Sequence, residues 1–244
     1  MPVKVLRVLM LHGHGQSGDD FEAKTRYVRE IFGGLSKDLK FEFKYLSGLL
    51  PAYPDNYGDE NFLFQRAWGY GEPDHGRING LEKSLEHILS TLDQDDSFCG
   101  IIGFSSGAAM AAIITSLLEK RRETCNIPWK TRHPPLHFAI CLSGFMLGKN
   151  CYQAFYDPKI ETPIFHTIGE LDATISTAQT IELSRQCTSP WFFEFNGGHY
   201  VPQIKEFINL RKSLSGFLEE VLGLPKKLDT SWIDIPFDEA CYGH

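Results

Sequence analysis

The sequence has no surplus of basic residues, because 24 lysines and arginines stand against 31 aspartates and glutamates, for a formal net charge of −7. Nucleic-acid-binding domains usually carry a basic footprint, so this balance argues against a nucleic-acid partner. The sequence also lacks any run of about 18 apolar residues, and no membrane span is expected. Its first apolar stretch contains Lys4 and Arg7 and is too short for a secretory signal, so we expect a cytoplasmic protein.

Paired cysteines are missing as well. The six cysteines form no CxxC pair and show no zinc-type spacing, and free thiols are expected in an unsecreted chain of this length. The neighbouring histidines His12 and His14 could suggest a metal site, but no downstream cluster of ligands completes it. The sequence therefore predicts no metal.

Six short apolar runs rich in β-branched or aromatic residues alternate with segments of helical periodicity. Several runs are apolar on both faces, which is typical of parallel strands covered by helices on each side. The alternation predicts an α/β fold with a mostly parallel, doubly wound sheet of about six strands. The predicted strands are 4–11, 41–46, 97–104, 137–143, 163–168 and 191–195, and the predicted helices are 19–32, 78–92, 105–120, 177–187 and 202–222.

Two regions interrupt this alternation. Residues 48–77 are rich in proline, glycine and aromatic residues and have little helical period. A loop of this length inside a compact domain is usually functional, so the region is predicted to form a lid or substrate-pocket insertion. Residues 225–244, of mixed polarity, are predicted to form a C-terminal tail after a single domain that spans residues 1–224.

The segment Gly103-Phe104-Ser105-Ser106-Gly107 has the pattern Gly-x-Ser-x-Gly and joins a predicted strand to an Ala-rich predicted helix. A sharp turn from strand to helix holds the central serine in a strained backbone, and the flanking glycines avoid clashes there. The pattern alone also arises by chance, and a Gly/Ser-rich helix cap is the alternative. The strand–turn–helix setting favours Ser105 as the nucleophile of an α/β-hydrolase domain.

A serine hydroxyl is a weak nucleophile and needs a base that is oriented by a third group. In this fold the acid and then the histidine follow the serine along the chain. His199 lies in a flexible turn after the last predicted strand, where active sites of open α/β sheets form, and is the predicted base. Asp172 follows the preceding strand and is the predicted acid, with Glu170 as the competing carboxylate. Asp172 is preferred because it lies beyond the turn that Gly169 permits.

The glycine-rich segment 11–18 follows the first predicted strand and is predicted to supply the second donor of an oxyanion hole. The first donor is the backbone N–H of Ser106, and the second is that of His14, with that of Gly15 as the alternative. The glycines at positions 13, 15 and 18 also match the dinucleotide pattern GxGxxG, but no acidic residue ends the second strand. A nucleotide site is therefore disfavoured.

Taken in order, these motifs resemble the fungal FSH family of small serine hydrolases, from Leu9 to about Leu222. The motifs that carry the resemblance are Leu11-His12-Gly13-x-Gly15-Gln16-Ser17-Gly18, Arg66-Ala67-Trp68, Gly103-Phe104-Ser105-x-Gly107-Ala108-Ala109, Ser143-Gly144, Gly169-x-x-Asp172 and Gly197-Gly198-His199-x-Val201-Pro202. The resemblance supports Ser105, Asp172 and His199 as a catalytic triad and implies cofactor-free hydrolysis of an ester or thioester. Family members in fungal polyketide gene clusters extend the expected substrates to acyl or polyketide-like groups.

The resemblance also implies where a small-molecule substrate binds. Such enzymes build their acyl pocket in the region that corresponds to residues 48–77. Trp68 and Tyr70 are the candidates for substrate contacts, with a place in the hydrophobic core as the alternative. At Ser106 the sequence departs from the glutamine or glutamate that relatives often carry, which leaves the substrate preference open. Two other classes of function remain. One is a peptidase, or a thioesterase that releases a product from a polyketide synthase acyl carrier domain, and the other is a non-catalytic binding protein of hydrolase fold.

Overall fold

Six parallel strands form the central sheet of the computed structural model, which describes residues 3–56, 59–72, 75–119 and 131–225. Apart from its first residue, the predicted tail 225–244 lies outside the described residues. In chain order the described strands are β1 (Lys4–Leu11), β2 (Leu39–Leu46), β3 (Leu50–Pro51), β4 (Arg66–Ala67), β5 (Tyr70–Glu72), β6 (His75–Asn79), β7 (Phe98–Phe104), β8 (Phe138–Leu142), β9 (Ile164–Gly169) and β10 (Pro190–Phe195). The described α-helices are α1 (Gly18–Lys24), α2 (Arg26–Gly33), α3 (Leu81–Leu92), α4 (Ser106–Leu118), α5 (Lys149–Tyr152), α6 (Thr177–Ser184) and α7 (Phe207–Val221). Among the described residues no helix is long and apolar enough to cross a bilayer.

The strands of the central sheet lie in the order β10-β9-β8-β7-β1-β2, and all neighbours are parallel. The chain passes from β1 outward to β2 and later returns to β7 on the other side of β1. In open α/β sheets, ligands bind at the carboxyl ends of the strands where the order reverses in this way. The predicted doubly wound sheet is confirmed, and the loops after β1 and β7 open onto the expected place for an active site.

Successive residues of each strand point to opposite faces of the sheet and contribute to two hydrophobic cores. On β1, Leu9 and Leu11 belong to one core, whereas Val8 and Met10 belong to the other. Helices α3, α4 and α6 cover the first core, and α1, α2 and α7 cover the second. This burial on both faces explains why the strands are continuous apolar runs in the sequence rather than alternating ones.

The predicted strands are all confirmed, with ends that shift by at most two residues, but the helices differ more from their predictions. The predicted helix 19–32 is interrupted at Thr25, whose hydroxyl donates to a carbonyl of α1, and two helices result. The predicted helix 78–92 begins only after Gly80, which has a left-handed backbone with φ 81. Ile78, which fits the apolar period of that helix, lies in β6 instead.

The insertion, residues 48–77, has more regular structure than the sequence predicts. It contains the antiparallel strand pair β3 and β4, and β5, whose antiparallel partner β6 extends two residues beyond the insertion; short 3-10 helices lie at Pro54–Asn56 and Glu60–Phe62. Strands this short show no recognisable alternation in a sequence, so their pairing could not be predicted. Near β4 the insertion pairs with the loop after β1, through a bridge between Gln16 and Arg66.

Candidate active site

Ser105 lies in a tight turn between β7 and α4. Its backbone has φ 54 and ψ −119, a conformation that residues other than glycine rarely adopt. Its N–H donates to the carbonyl of Leu142 (2.9 Å). The turn requires the flanking glycines. A side chain at Gly103 would collide with the carbonyl of Gly107, and one at Gly107 would collide with the carbonyl of Leu11. Strain of this kind persists where the surrounding structure enforces it, commonly at active sites.

The hydroxyl of Ser105 ends a line of three hydrogen-bonded side chains. His199 Nε2 lies 3.0 Å from Ser105 Oγ, and His199 Nδ1 lies 2.7 Å from Asp172 Oδ2. The loop that carries His199 can approach the end of β9 because Gly169 has no side chain; a Cβ there would lie 2.6 Å from the carbonyl oxygen of Gly197. The structure thus brings together the serine, the histidine and the aspartate that the sequence singled out.

The carboxylate of Asp172 is fixed by hydrogen bonds on both oxygens. Its Oδ1 accepts from the backbone N–H groups of Thr174 (2.9 Å) and Ile175 (2.8 Å), and the side chain is only 1% exposed. Burial alone would raise the pKa of Asp172, but the hydrogen bonds from the backbone and the imidazole hold it below its ordinary value. Because an ionised carboxylate only accepts, His199 Nδ1 carries the proton and Nε2 accepts from Ser105 Oγ.

Glu170, the competing carboxylate, has different surroundings. It is exposed, and its carboxylate makes no hydrogen bond within the part of the chain that the structure describes. The imidazole of His199 therefore has Asp172 as its acidic neighbour, as the position beyond the Gly169 turn predicts.

The loop after β1 lies beside the turn of Ser105, since β1 and β7 are neighbours in the sheet. Part of its backbone is already engaged, because the N–H of Gly15 donates to the carbonyl of Arg66 in the insertion (3.0 Å). By contrast, the N–H groups of His14 and Ser106 donate to no protein group among the described residues. An oxyanion hole needs such free donors. Of the two alternatives predicted for the loop, His14 is available and Gly15 is not.

His12 links this loop to the insertion through its ring. The N–H of Gly48 donates to Nε2 (2.9 Å), so Nδ1 carries the proton and donates to the carbonyl of Gly13 (2.7 Å). The buried ring stacks on Trp68 with centroids 4.8 Å apart, and Trp68 Nε1 donates to the His12 carbonyl (2.8 Å). Burial lowers the pKa of His12 from 6.5 to about 4, so this ring is neutral at ordinary pH.

Most of the chain, residues 1–210, matches the protein family described as serine hydrolase (FSH1). The chain belongs to the FSH1 serine hydrolase family. It is similar to esterase OVCA2 of Xenopus tropicalis, with 31% identity over 215 residues that cover 82% of this chain and 87% of that protein. It is also similar to family of serine hydrolases 2 of Saccharomyces cerevisiae, with 31% identity over 219 residues that cover 82% of this chain and 93% of that protein.

Solved structures share the fold of this FSH1-family chain. SOBER1 of Arabidopsis thaliana aligns with a TM-score of 0.61 at 19% identity, covering 90% of this chain and 100% of that one. Acyl-protein thioesterase 2 of Zea mays aligns with a TM-score of 0.59 at 18% identity, covering 89% of this chain and 96% of that one. The predicted α/β-hydrolase fold is confirmed, and so is the prediction of a serine hydrolase enzyme. The two relatives named above are an animal esterase and a yeast serine hydrolase, and they give no support to a link with fungal polyketide clusters.

Trp68 and Tyr70 of this hydrolase, the predicted substrate contacts, are engaged with the protein itself. Trp68 is 2% exposed and gives its indole N–H to His12. Tyr70 is partly buried, and its hydroxyl donates to the carbonyl of Pro51 (2.6 Å). These contacts favour a role in holding the insertion in place, and substrate binding by either residue stays a prediction.

Exposed apolar side chains that the sequence did not single out lie on the insertion and next to the triad residues in sequence. On the insertion, Tyr53 packs edge-on against His14 with ring centroids 5.6 Å apart, and Phe64 is 74% exposed. Leu171 is 68% exposed and precedes the aspartate in sequence, and Tyr200 follows the histidine. The aromatic composition of the insertion was a signal, but which of its rings remain exposed depends on packing.

Ser106, where the sequence departs from the family pattern, has a buried hydroxyl beside the nucleophile. Its Oγ has no hydrogen-bond partner in the described ranges of the chain. The hydroxyl of Ser106 therefore makes no contact that would depend on its backbone N–H, and the two groups can be tested separately.

Within the described ranges of the chain, no group of three His, Cys, Asp or Glu side chains is arranged to hold a metal ion.

Proposed function

We propose that this protein hydrolyses an acyl ester or thioester through an acyl-enzyme intermediate, with Ser105, His199 and Asp172 as its catalytic triad. The observation that carries the proposal is the line from Ser105 Oγ through the imidazole to Asp172 Oδ2, with distances of 3.0 and 2.7 Å. A serine with a base in hydrogen-bonding reach, and a third group that orients the base, is the arrangement that acyl transfer requires.

The reaction proceeds in two steps. Ser105 Oγ attacks the acyl carbon while its proton moves to His199 Nε2, and Asp172 stabilises the imidazolium. The imidazolium then gives this proton to the leaving alcohol or thiol as the bond to the acyl carbon breaks. A water molecule attacks the acyl-enzyme, again losing a proton to His199, and the carboxylic acid and the free serine are released as the proton returns to Ser105.

The backbone N–H groups of His14 and Ser106 are proposed to bind the oxyanion of each step. The proposal is supported because neither N–H donates a hydrogen bond to another group among the described residues. The N–H of Ser106 also lies at the first position of α4, where the helix dipole favours negative charge. The N–H of Gly15 is not part of the proposal because it donates to the backbone carbonyl of Arg66.

An apolar acyl group is the proposed substrate feature. Its proposed contacts are the exposed apolar side chains of Leu63 and Phe64 on the insertion and of Leu171, which precedes Asp172. The predicted partner, an acyl carrier domain of a polyketide synthase, is not part of this proposal, because neither the animal esterase nor the yeast serine hydrolase named above points to one. A cytoplasmic location likewise stays a prediction.

Hydrolysis of p-nitrophenyl esters and acyl thioesters of graded chain length tests the proposal. We expect Ser105→Ala to lower kcat roughly 10⁶-fold and to abolish labelling by a fluorophosphonate probe, with the unfolding transition retained. Ser106→Ala is the matched control, because it removes the adjacent hydroxyl and keeps the backbone N–H. It should remain labelled and active.

Three outcomes would count against the proposal. Near-normal hydrolysis by Ser105→Ala would contradict the triad. A wild-type protein that neither hydrolyses the panel nor reacts with the probe would favour the alternative, a non-catalytic binding protein of the same fold. A rate that is independent of chain length would contradict an acyl-binding role for residues 48–77.

A further inference from the structure

Phe104, the residue before the nucleophile, lies against the imidazole of His199. The two ring centroids are 4.8 Å apart, and the ring planes are inclined by 33°. Phe104 is only 4% exposed, so packing sets the position of its ring. Gly13 also touches this ring, because a Cβ added there would lie 2.8 Å from Phe104 Cδ1. The phenyl ring therefore contacts both the loop after β1 and the imidazole.

We propose that Phe104 is a positioning residue that stabilises the imidazolium form of His199 during acyl transfer. This inference rests on the proposed function of the triad. The two imidazole nitrogens bond to Asp172 and Ser105, and such bonds lie near the plane of the ring. The faces of the imidazole remain for other contacts, and Phe104 occupies one of them.

The interaction is selective for the transition state. The face of an aromatic ring is the negative end of its quadrupole, and it attracts a cation within about 6 Å of the ring centre. In the hydrogen-bonded line His199 accepts from Ser105 as a neutral ring, and it becomes a cation when it takes the serine proton. A contact that is stronger in the transition state than in the ground state lowers the barrier. An aliphatic side chain would fill the space without this selectivity.

Graded fluorination of the Phe104 ring separates this electrostatic effect from packing, because fluorine weakens the quadrupole and changes the shape of the ring little. Mono-, di- and trifluorinated phenylalanines are incorporated at position 104, and kcat and KM for a p-nitrophenyl ester are measured. We expect kcat to fall stepwise, by about threefold to tenfold over the series, with little change in KM.

Phe165 is the matched control for the fluorinated series. It is fully buried and packs against Phe217 in the core, and the same substitutions there should leave kcat unchanged. Because the imidazolium forms in both steps, rapid-mixing measurements should show slower acylation and slower deacylation for position 104. A kcat that does not respond to fluorination at position 104, or that responds equally at Phe165, would overturn the proposal.

Phe104→Leu supplies a second measurement, and a folded variant of this kind should lose kcat at least as much as the trifluorinated protein. Unchanged kcat in a folded Phe104→Leu protein would also overturn the proposal. The result that contradicts this inference differs from the result that contradicts the proposed triad. Activity that survives Ser105→Ala would contradict the triad. An enzyme that depends on Ser105 but whose kcat does not respond to fluorination at position 104 would contradict only the role of Phe104.

Discussion

His12, in the loop after β1, and His199, in the loop after β10, lie at the same edge of the sheet but have different neighbours. The ring nitrogens of His12 bond to the backbone, at Gly13 and Gly48, and the ring is fully buried. Those of His199 bond to two side chains, the carboxylate of Asp172 and the hydroxyl of Ser105. A backbone partner holds a ring in one tautomer, whereas a hydroxyl can give its proton away.

The difference shows that residue type alone does not make a histidine reactive. His12 is held neutral by burial and connects the loop after β1 to the insertion. In the proposed mechanism His199 carries a proton between the serine and a leaving group, and the ionised carboxylate of Asp172 accepts from its other ring nitrogen. Three experiments test this contrast between the two histidines.

Asp172→Asn tests whether His199 depends on a carboxylate. The asparagine amide can donate to Nδ1 and favour the wrong tautomer, so we expect kcat to fall about 10⁴-fold with a nearly unchanged unfolding temperature. Asp93→Asn is the matched control: Asp93 follows α3 and accepts from Thr131 Oγ1 and from two backbone N–H groups. That variant should lose stability and keep its kcat. Wild-type turnover by Asp172→Asn would show that the imidazole works without its acid.

The pH dependence of stability tests whether the folded protein keeps the His12 ring neutral. Its pKa is about 4 in the folded protein and 6.5 as the ordinary value, so between these values the unfolded chain binds more protons. Stability should therefore fall as the pH falls through this window and become independent of His12 below about pH 4. At pH 5 the loss attributable to His12 is about 2 kcal/mol relative to pH 7, a roughly thirtyfold change in the folding equilibrium.

Urea unfolding at pH 7 and pH 5 measures this loss. His12→Gln should show a smaller difference between the two pH values than the wild type, by about 2 kcal/mol. His199→Gln should keep the full contribution of His12, since it changes the other loop. Buried His166, whose pKa is lowered to about 3, contributes equally to all three proteins and cancels in the comparison. Identical pH dependence of the wild type and His12→Gln would show that the pKa of His12 is not lowered in the folded protein.

Trp68→Phe tests whether the insertion positions the loop after β1, which carries the proposed oxyanion donor His14. The variant keeps an aromatic ring against His12 and removes the indole N–H that donates to its carbonyl. Losing one oxyanion donor costs about 10²–10³ in rate, so a displaced loop should lower kcat roughly tenfold with little change in KM. A rise in KM at constant kcat would instead support the predicted substrate contact. Tyr70→Phe, which loses a hydrogen bond to Pro51, should have a smaller effect.

The elements that the sequence predicted well are those with a strong local pattern. The six strands of the main sheet are continuous apolar runs, because both of their faces are buried. Helix boundaries were less predictable. The apolar period of α3 extends back to Ile78, but the left-handed backbone of Gly80 delays the start of the helix to Leu81. The short strands of the insertion could not be predicted, because they are defined by partners such as the Gln16–Arg66 bridge rather than by their own composition.

For the candidate site, local sequence patterns were enough to predict the triad residues. The glycines around Ser105, and the positions of Asp172 and His199 after successive strands, follow from steric limits and from strand order. Contacts within the folded protein leave His14, and not Gly15, with a free N–H, hold His12 as a neutral ring and place Phe104 against His199. These features depend on contacts between segments far apart in the chain, such as the 36 residues between His12 and Gly48. Local propensity carries no information about such distances, whereas packing of the sheet and the insertion sets them.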